Sequence, residues 1–411
     1  MSERLTVGVA DAAAAAARVR ALVPSGASVA QEVAAIVAAV RERGDAAVAE
    51  QEARFGGRAR VVPRAELDAA LAALDGDVRA GLEVAIANVR AVAEAGLDAD
   101  RALTLPQGQT VTLRELPVRR AAVYAPAGRN PYPSSVVMGA VTARAAGVEQ
   151  VYVASAAQPT ILAACALCAV DGVFAVTGAH AIAALAHGTE TIPRVDVIVG
   201  PGSLWVQEAK RQLLGQVGID GFNGPSDLTV IASAGADVEA LALDLAAQAE
   251  HGEGSLTVAV SDDAALLDAL EHAAARERAG LGDFTSVPVL ARDLEAALAF
   301  AEALAPEHLQ LAGAAAEALA PRVRSAGCLF VGSETGTAFG DYVAGSNHTL
   351  PTEGAARFAS GLNVRHFRRR MAEVRLGAAA AELARAGVPI ARAEGFAAHA
   401  ASMALRQNPT P

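Results

Sequence analysis

The chain has 411 residues, 53% hydrophobic but only 4% aromatic, and a net charge of −11 with an isoelectric point near 5.3. That length allows two or more cores, and the scarcity of aromatics means they are aliphatic. The acidic balance argues against nucleic-acid or anionic-membrane binding, and no run of about 18 uncharged apolar residues predicts a membrane-spanning helix. Residues 5–17 are apolar behind Arg4, but Asp11 interrupts them and no clean cleavage site follows, so they read as a helix and not a signal peptide. Ser28 precedes an Ala-, Val- and Glu-rich stretch to about Gln51, and Asp75-Gly76-Asp77 separates two further helical runs. The first 117 residues therefore read as mostly helical. At Ala121 the pattern changes. Residues 121–124, 151–154, 173–176 and 195–199 are short β-rich runs, each followed by a turn and a helix-like segment.

A second alternating series follows, with strands at 228–231, 256–260, 287–290, 308–311 and 328–331 and helices such as 238–250 and 294–304 between them. Repeated βα units predict parallel, doubly wound sheets. Residues 367–406 read as helical with a break at Gly387-Val388-Pro389, and no solenoid repeat is present. The expected class is α/β: two Rossmann-like doubly wound parallel-sheet domains with helical N-terminal and C-terminal segments. Cys165, Cys168 and Cys328 are too sparse for a disulfide scaffold and fit a reducing cytoplasm; the first two read as buried core thiols.

Four separated segments hold the residues that could do chemistry. Gln248 and His251 stand three apart near the end of a predicted helix that Gly252 and Gly254 terminate, so both project from one rim. Glu307-His308 follows Pro306 and opens a strand; a carboxylate beside an imidazole suits general acid–base work, since histidine titrates near neutrality. Residues 340–348 form a glycine-punctuated loop carrying Asp341 and His348, the kind of segment that often bears function. The fourth segment runs from Glu394 to His399. Each alone is also common on a solvated surface. Together they gather four of the eight histidines beside acids, which suggests a metal-assisted enzyme. Gly200-Pro201-Gly202-Ser203 follows a strand and opens a helix, where backbone amides suit a phosphate. Gly128, after Tyr124-Ala125-Pro126, offers a similar turn, and neither is a G-x-G-x-x-G fingerprint.

These segments resemble the histidinol dehydrogenase family from about Val29 to near the C-terminus. The resemblance rests on Gly200-Pro201-Gly202 with Glu208-Ala209-Lys210-Arg211, Gly224-Pro225-Ser226, Gln248-Ala249-Glu250-His251-Gly252, Ala305-Pro306-Glu307-His308-Leu309, Gly340-Asp341-Tyr342, Asn347-His348-Thr349-Leu350-Pro351-Thr352 and residues 394–399, in that order. It implies a cytoplasmic, zinc-dependent, NAD-linked enzyme that oxidises the amino alcohol L-histidinol to L-histidine through the aldehyde, with one Zn2+ per subunit. By this resemblance Gln248, His251, Asp341 and His399 are the zinc ligands. Glu307 and His308 are the acid–base residues. Ser226, His348 and Glu394 fall at substrate positions, which the four ligands and His308 also border. Tyr124, His180 and Ser203 fall at cofactor positions.

The resemblance also implies a homodimer in which the C-terminal segment, with Glu394 and His399, completes the partner's site. The expected division is then residues 1–118 plus 228–362 as a first α/β domain with the metal and acid–base residues. Residues 119–227 form a second, Rossmann-like domain on the cofactor side, and 363–411 a helical, dimer-contacting segment. The chain departs from the family on that cofactor side. Thr177-Gly178-Ala179-His180 stands for the usual Gly-Gly-Ala-Gln, Ser203 for Asn, and Pro126-Ala127-Gly128 for Pro-Gly-Gly; Asp227 also replaces Glu in Gly-Pro-Ser-Glu. Two alternatives follow: a paralogous NAD-dependent dehydrogenase for another polar amino- or sulfo-alcohol, and a binding protein without turnover.

Overall fold

The computed structural model describes residues 4–23, 29–126, 130–222, 224–252, 254–282 and 284–407, so Ser28, Ala127 and Gly128 lie outside the described residues. Its strands are β1 (Leu5–Val7), β2 (Arg60–Val62), β3 (Arg101–Thr104), β4 (Thr110–Pro117), β5 (Arg120–Tyr124), β6 (Gln150–Ser155), β7 (Gly172–Ala175), β8 (Val197–Val199), β9 (Gly218–Ile219), β10 (Asp227–Ala232), β11 (Leu256–Ser261), β12 (Thr285–Ala291), β13 (His308–Ala312), β14 (Cys328–Val331) and β15 (Arg368–Arg375). The chain divides into a larger unit, residues 1–96 with 118–367, and a smaller one, residues 97–117 with 368–411.

The larger unit holds two six-stranded sheets, ordered β2-β7-β6-β5-β8-β9 and β1-β12-β11-β10-β13-β14. The pairings are parallel throughout, except for β2 against β7. Each sheet winds outward from its centre in both directions, so the strand order reverses at β5/β8 in one and β10/β13 in the other. Parallel neighbours need crossover helices, and those helices cover both faces. Hence β10, β11 and β13 are buried at every residue, which is why they read in sequence as apolar runs and not as alternation.

The packing groups the N-terminal helices differently from the sequence expectation. Only β1 and helix Ala12–Arg20 join the β10–β14 sheet, through Val7, Ala16 and Val19. Residues expected with 228–362 instead clothe the other sheet. Val33, Val40 and Val48 pack beside Tyr124 and Ile182 on one face. Leu82, Val89 and Ala93 pack beside Val123 and Met138 on the opposite face. The cause is local: these helices carry apolar stripes at helical spacing, and β2 adds an edge to β7. Asp75 caps helix Gly76–Ala95 by accepting from the amides of Asp77 and Val78, which explains the break read at that point.

The smaller unit corrects two expectations of helix. Residues 101–104 and 110–117 are strands, and residues 368–375 form β15, antiparallel to β4 in the sheet β15-β4-β3. The Arg- and Glu-rich composition of β15 suits a helix, but cross-strand charge overrides it: Arg370 stands opposite Glu115 and pairs with it, and Arg114 lies 3.5 Å from Glu373. Pro389 sits inside helix Ala380–Ala393, so no break occurs at 387–389. The helix is carried past the proline by Val388 and Ala391, which pack against Ala400. The chain turns at Gly395 instead, at φ +80°, before helix Ala397–Ala404. Among the described residues no helix is long and apolar enough to cross a membrane.

Candidate active site

Two sets of strand ends in the larger unit border one cavity of about 540 Å³. Pro126 beyond β5 and Pro201, Gly202 and Ser203 beyond β8 form one wall, at the carboxyl ends of the first sheet where its strand order reverses. That is where open α/β sheets commonly bind ligands. Gly224, Pro225 and Ser226 before β10, Ser255 before β11, and Glu307 and His308 at the start of β13 form the other wall. His251, Asp341 and His348 add to the polar lining.

Glu307 and His308 owe their position to the end of helix Leu294–Leu304. Ala305 adopts a left-handed conformation, φ +47°, Pro306 prevents the helix from continuing, and β13 begins two residues later. Both side chains are buried. The Glu307 carboxylate accepts from the Ser226 hydroxyl at 2.5 Å and from the Asp227 amide at 3.0 Å, and the Glu307 amide donates back to Asp227 Oδ1 at 2.9 Å. Burial pushes the Glu307 carboxyl up to about 7, against the opposing pull of His308. The His308 Nδ1 donates to the Asp227 carbonyl at 3.0 Å, which leaves Nε2 as the free basic nitrogen, 4.0 Å from Asp341 Oδ1. Burial alone would lower the His308 pKa, but the carboxylates of Glu307 and Asp341 outweigh it and raise it. Asp227 thus organises both residues, and Arg20 holds its other oxygen at 2.7 Å.

Gln248 is buried near the end of helix Val238–Ala249, and its amide lies 3.4 Å from His251 Nδ1. The His251 ring faces the cavity; desolvation there lowers its pKa, with His308 acting the same way and Asp341 opposing. Asp341 lies on helix Thr337–Tyr342. His348 Nε2 is buried without a hydrogen-bond partner, and desolvation lowers that pKa too. Asn347 anchors this loop by donating to the Met138 carbonyl at 3.1 Å. Among the described residues no three His, Cys, Asp or Glu side chains gather as a ready metal site. The larger unit brings together Gln248, His251 and Asp341 of the expected ligand set. His399, whose ring stacks obliquely 5.2 Å from Phe396, and Glu394 belong to the smaller unit.

On the first sheet's side, the Gly200 turn is held by a buried ion pair. Lys210, fully buried, donates to the Gly200 carbonyl and to Asp220 Oδ1 at 2.6 Å, while Asp220 Oδ2 accepts from the Gly200 amide at 2.6 Å. Gly200 sits at φ +119°, and a Cβ there would lie 2.1 Å from the Tyr124 carbonyl, so no other residue fits. Lys210→Met removes the cation from a buried carboxylate and is expected to destabilise the protein by about 3–5 kcal/mol. Denaturant unfolding checks this; a loss below about 1 kcal/mol would contradict the clamp. Ser203 occupies the N-cap of helix Leu204–Leu213 but its hydroxyl makes no cap bond, which leaves it turned to the cavity lining.

A second cavity of about 460 Å³ is bordered by Phe55, Tyr124, Thr177, Gly178, His180, Ser203 and Trp205. The Tyr124 hydroxyl accepts from the Gly178 amide at 3.0 Å. His180 is almost wholly buried, with Nε2 2.9 Å from Glu52 Oε1, and the same oxygen accepts from the Thr177 amide at 2.6 Å. Glu52 was missed in sequence, as were Arg20 and the Lys210–Asp220 pair. Glu52 lies in an ordinary polar helical stretch 128 residues from His180, and only the fold reveals the contact.

The model of the histidinol dehydrogenase family matches residues 23–407. A histidinol dehydrogenase of Rhizobium meliloti (strain 1021) is 42% identical over 397 residues, spanning 92% of this chain and 91% of that protein. One of Cereibacter sphaeroides is 42% identical over 396 residues, spanning 91% of each. The crystal structure of histidinol dehydrogenase from Elizabethkingia anophelis matches with a TM-score of 0.87 at 27% identity over 92% of each chain. A match across nearly the whole length, in sequence and in fold, places this chain in the histidinol dehydrogenase family.

Proposed function

We propose that this chain oxidises L-histidinol to L-histidine in two steps, using two NAD as hydride acceptors and one Zn2+ per subunit. The observation that carries the reading is the buried Glu307–His308 pair, locked to Ser226 and Asp227 on the wall of the larger cavity. The donor set fits zinc: an amide, an imidazole and a carboxylate from Gln248, His251 and Asp341 stand in one unit, with His399 as the fourth donor. Zinc has no redox chemistry, so when bound it supplies charge that orients the substrate's amine and imidazole while the nicotinamide takes the hydrides.

The residues then divide the work. His308 Nε2 takes the hydroxyl proton as hydride leaves the carbinol carbon. Ser226, His348 and Glu394 hold the substrate. Glu307 then removes a proton from water, which adds to the aldehyde before the second hydride departs. Retaining the aldehyde between steps keeps the reacting atoms at high effective concentration. Tyr124, His180 and Ser203 border the cofactor. His180 borders the second cavity, away from the Glu307–His308 wall, so its departure from the family bears on NAD and not on the alcohol. This favours histidinol over another polar alcohol.

The smaller unit supports a homodimer whose C-terminal segment completes the partner's site. Its own cluster of buried apolar residues is Val388, Ala391 and Ala400, while Ile390, Phe396 and Leu405 stay exposed. Three free cysteines suit a cytoplasmic setting.

Purified full-length protein with L-histidinol and NAD is expected to form NADH, to lose that activity on chelation and to regain it with Zn2+. A folded, zinc-loaded protein that forms no NADH would overturn the reading.

A further inference from the structure

We infer that Asp244 is a positioning residue that sets the spacing between the helix that bears Gln248 and leads into His251 and the helix bearing Asp341. The inference rests on the proposed metal reading of those three residues. Asp244 lies on helix Val238–Ala249, one turn before Gln248, so these two share a face, and His251 follows two residues beyond the helix's end. Asp244 does not itself border the cavity. Its carboxylate instead reaches two other elements. Oδ2 accepts from Gln310 Nε2 at 2.8 Å, and the backbone amide of Thr337 donates to the same carboxylate.

Each partner is tied to a working residue. Gln310 is fully buried on β13, two residues after His308, and therefore on the same face of the strand. Its amide nitrogen also donates to the Thr335 carbonyl at 3.3 Å. Thr337 is the first residue of helix Thr337–Tyr342, one turn before Asp341. Gly336 shows how close the approach is: a Cβ there would lie 2.8 Å from Asp244 Oδ1. One carboxylate thus binds the start of the Asp341 helix and the His308 strand to the helix that bears Gln248 and leads into His251. Two donors meeting one acceptor fix the separation of these three elements, where apolar packing alone would let them slide.

The test measures Zn2+ affinity by competition with a chromophoric chelator on the full-length protein, beside thermal melts. Asp244→Ala is expected to weaken Zn2+ binding about tenfold or more, whereas Asp244→Asn, which keeps one acceptor oxygen for Gln310 or Thr337, is expected to lose less than Asp244→Ala. Gly336→Ala, which pushes on the same carboxylate from the other side, is expected to weaken binding without removing any polar group. Asp237→Ala removes the N-cap of the same helix. It should lower the melting temperature yet leave Zn2+ affinity unchanged, separating positioning from general stability. If Asp244→Ala and Gly336→Ala bind Zn2+ like the parent while His251→Ala and Asp341→Ala do not, Asp244 has no positioning role. If Asp244→Asn falls as far as Asp244→Ala, the retained acceptor oxygen does no positioning, and the inference fails. If His251→Ala and Asp341→Ala also bind like the parent, the metal reading is at fault and the inference falls with it.

Discussion

Replacing His308 by asparagine is expected to lower kcat for histidinol oxidation about a thousandfold, within the range that a positioned general base contributes. The fold should survive, because an asparagine amide can still donate to the Asp227 carbonyl that His308 Nδ1 now contacts at 3.0 Å. Zinc content should stay near that of the parent, since His308 is the proposed base and not one of the proposed ligands. Steady-state kinetics beside metal analysis checks both parts. A variant that loses its metal would make His308 a ligand or a structural support, and one that keeps full activity would remove it from the mechanism.

Glu307→Gln should act on the second oxidation. Gln Oε1 can keep accepting from Ser226 and the Asp227 amide, so geometry is retained while the base is lost. Oxidation of supplied histidinal should fall about a hundredfold or more. The pH dependence follows from the carboxyl being raised to about 7. The ionised form is the base, so the parent's aldehyde oxidation should rise with pH through about 7 and fall away below it. In Glu307→Gln that inflection should vanish. An unchanged profile in the variant would assign the inflection to another group.

Several residues of the candidate site stand out in the sequence because their signals are local. Glu307-His308 stands after a helix-stopping proline, and Gln248 and His251 stand three apart across a glycine-marked helix end. The parallel strands were legible for the same reason, as apolar runs such as β10 and β11 whose two faces are both covered. What stayed hidden depends on residues brought together from far along the chain. Asp227 takes its counter-ion from Arg20, 207 residues away, and His180 meets Glu52 across 128. No spacing rule links such pairs. β15 was hidden for another reason: Arg-Arg-Arg-Met-Ala-Glu-Val-Arg favours a helix locally and becomes a strand only when β4 supplies Glu115 and the ladder. The sheet that the N-terminal helices cover was hidden because a stripe such as Val33 and Val40 shows that a helix packs, not what it packs on.

In the proposed mechanism one site carries out both oxidations, with His308 serving the first and Glu307 the second. The most direct measurement counts NADH formed per L-histidinol consumed by the zinc-loaded protein and identifies the product. Two NADH with L-histidine as product is the expected result. One NADH with histidinal accumulating in solution would contradict the claim, because the Glu307 wall would then do no chemistry on the aldehyde.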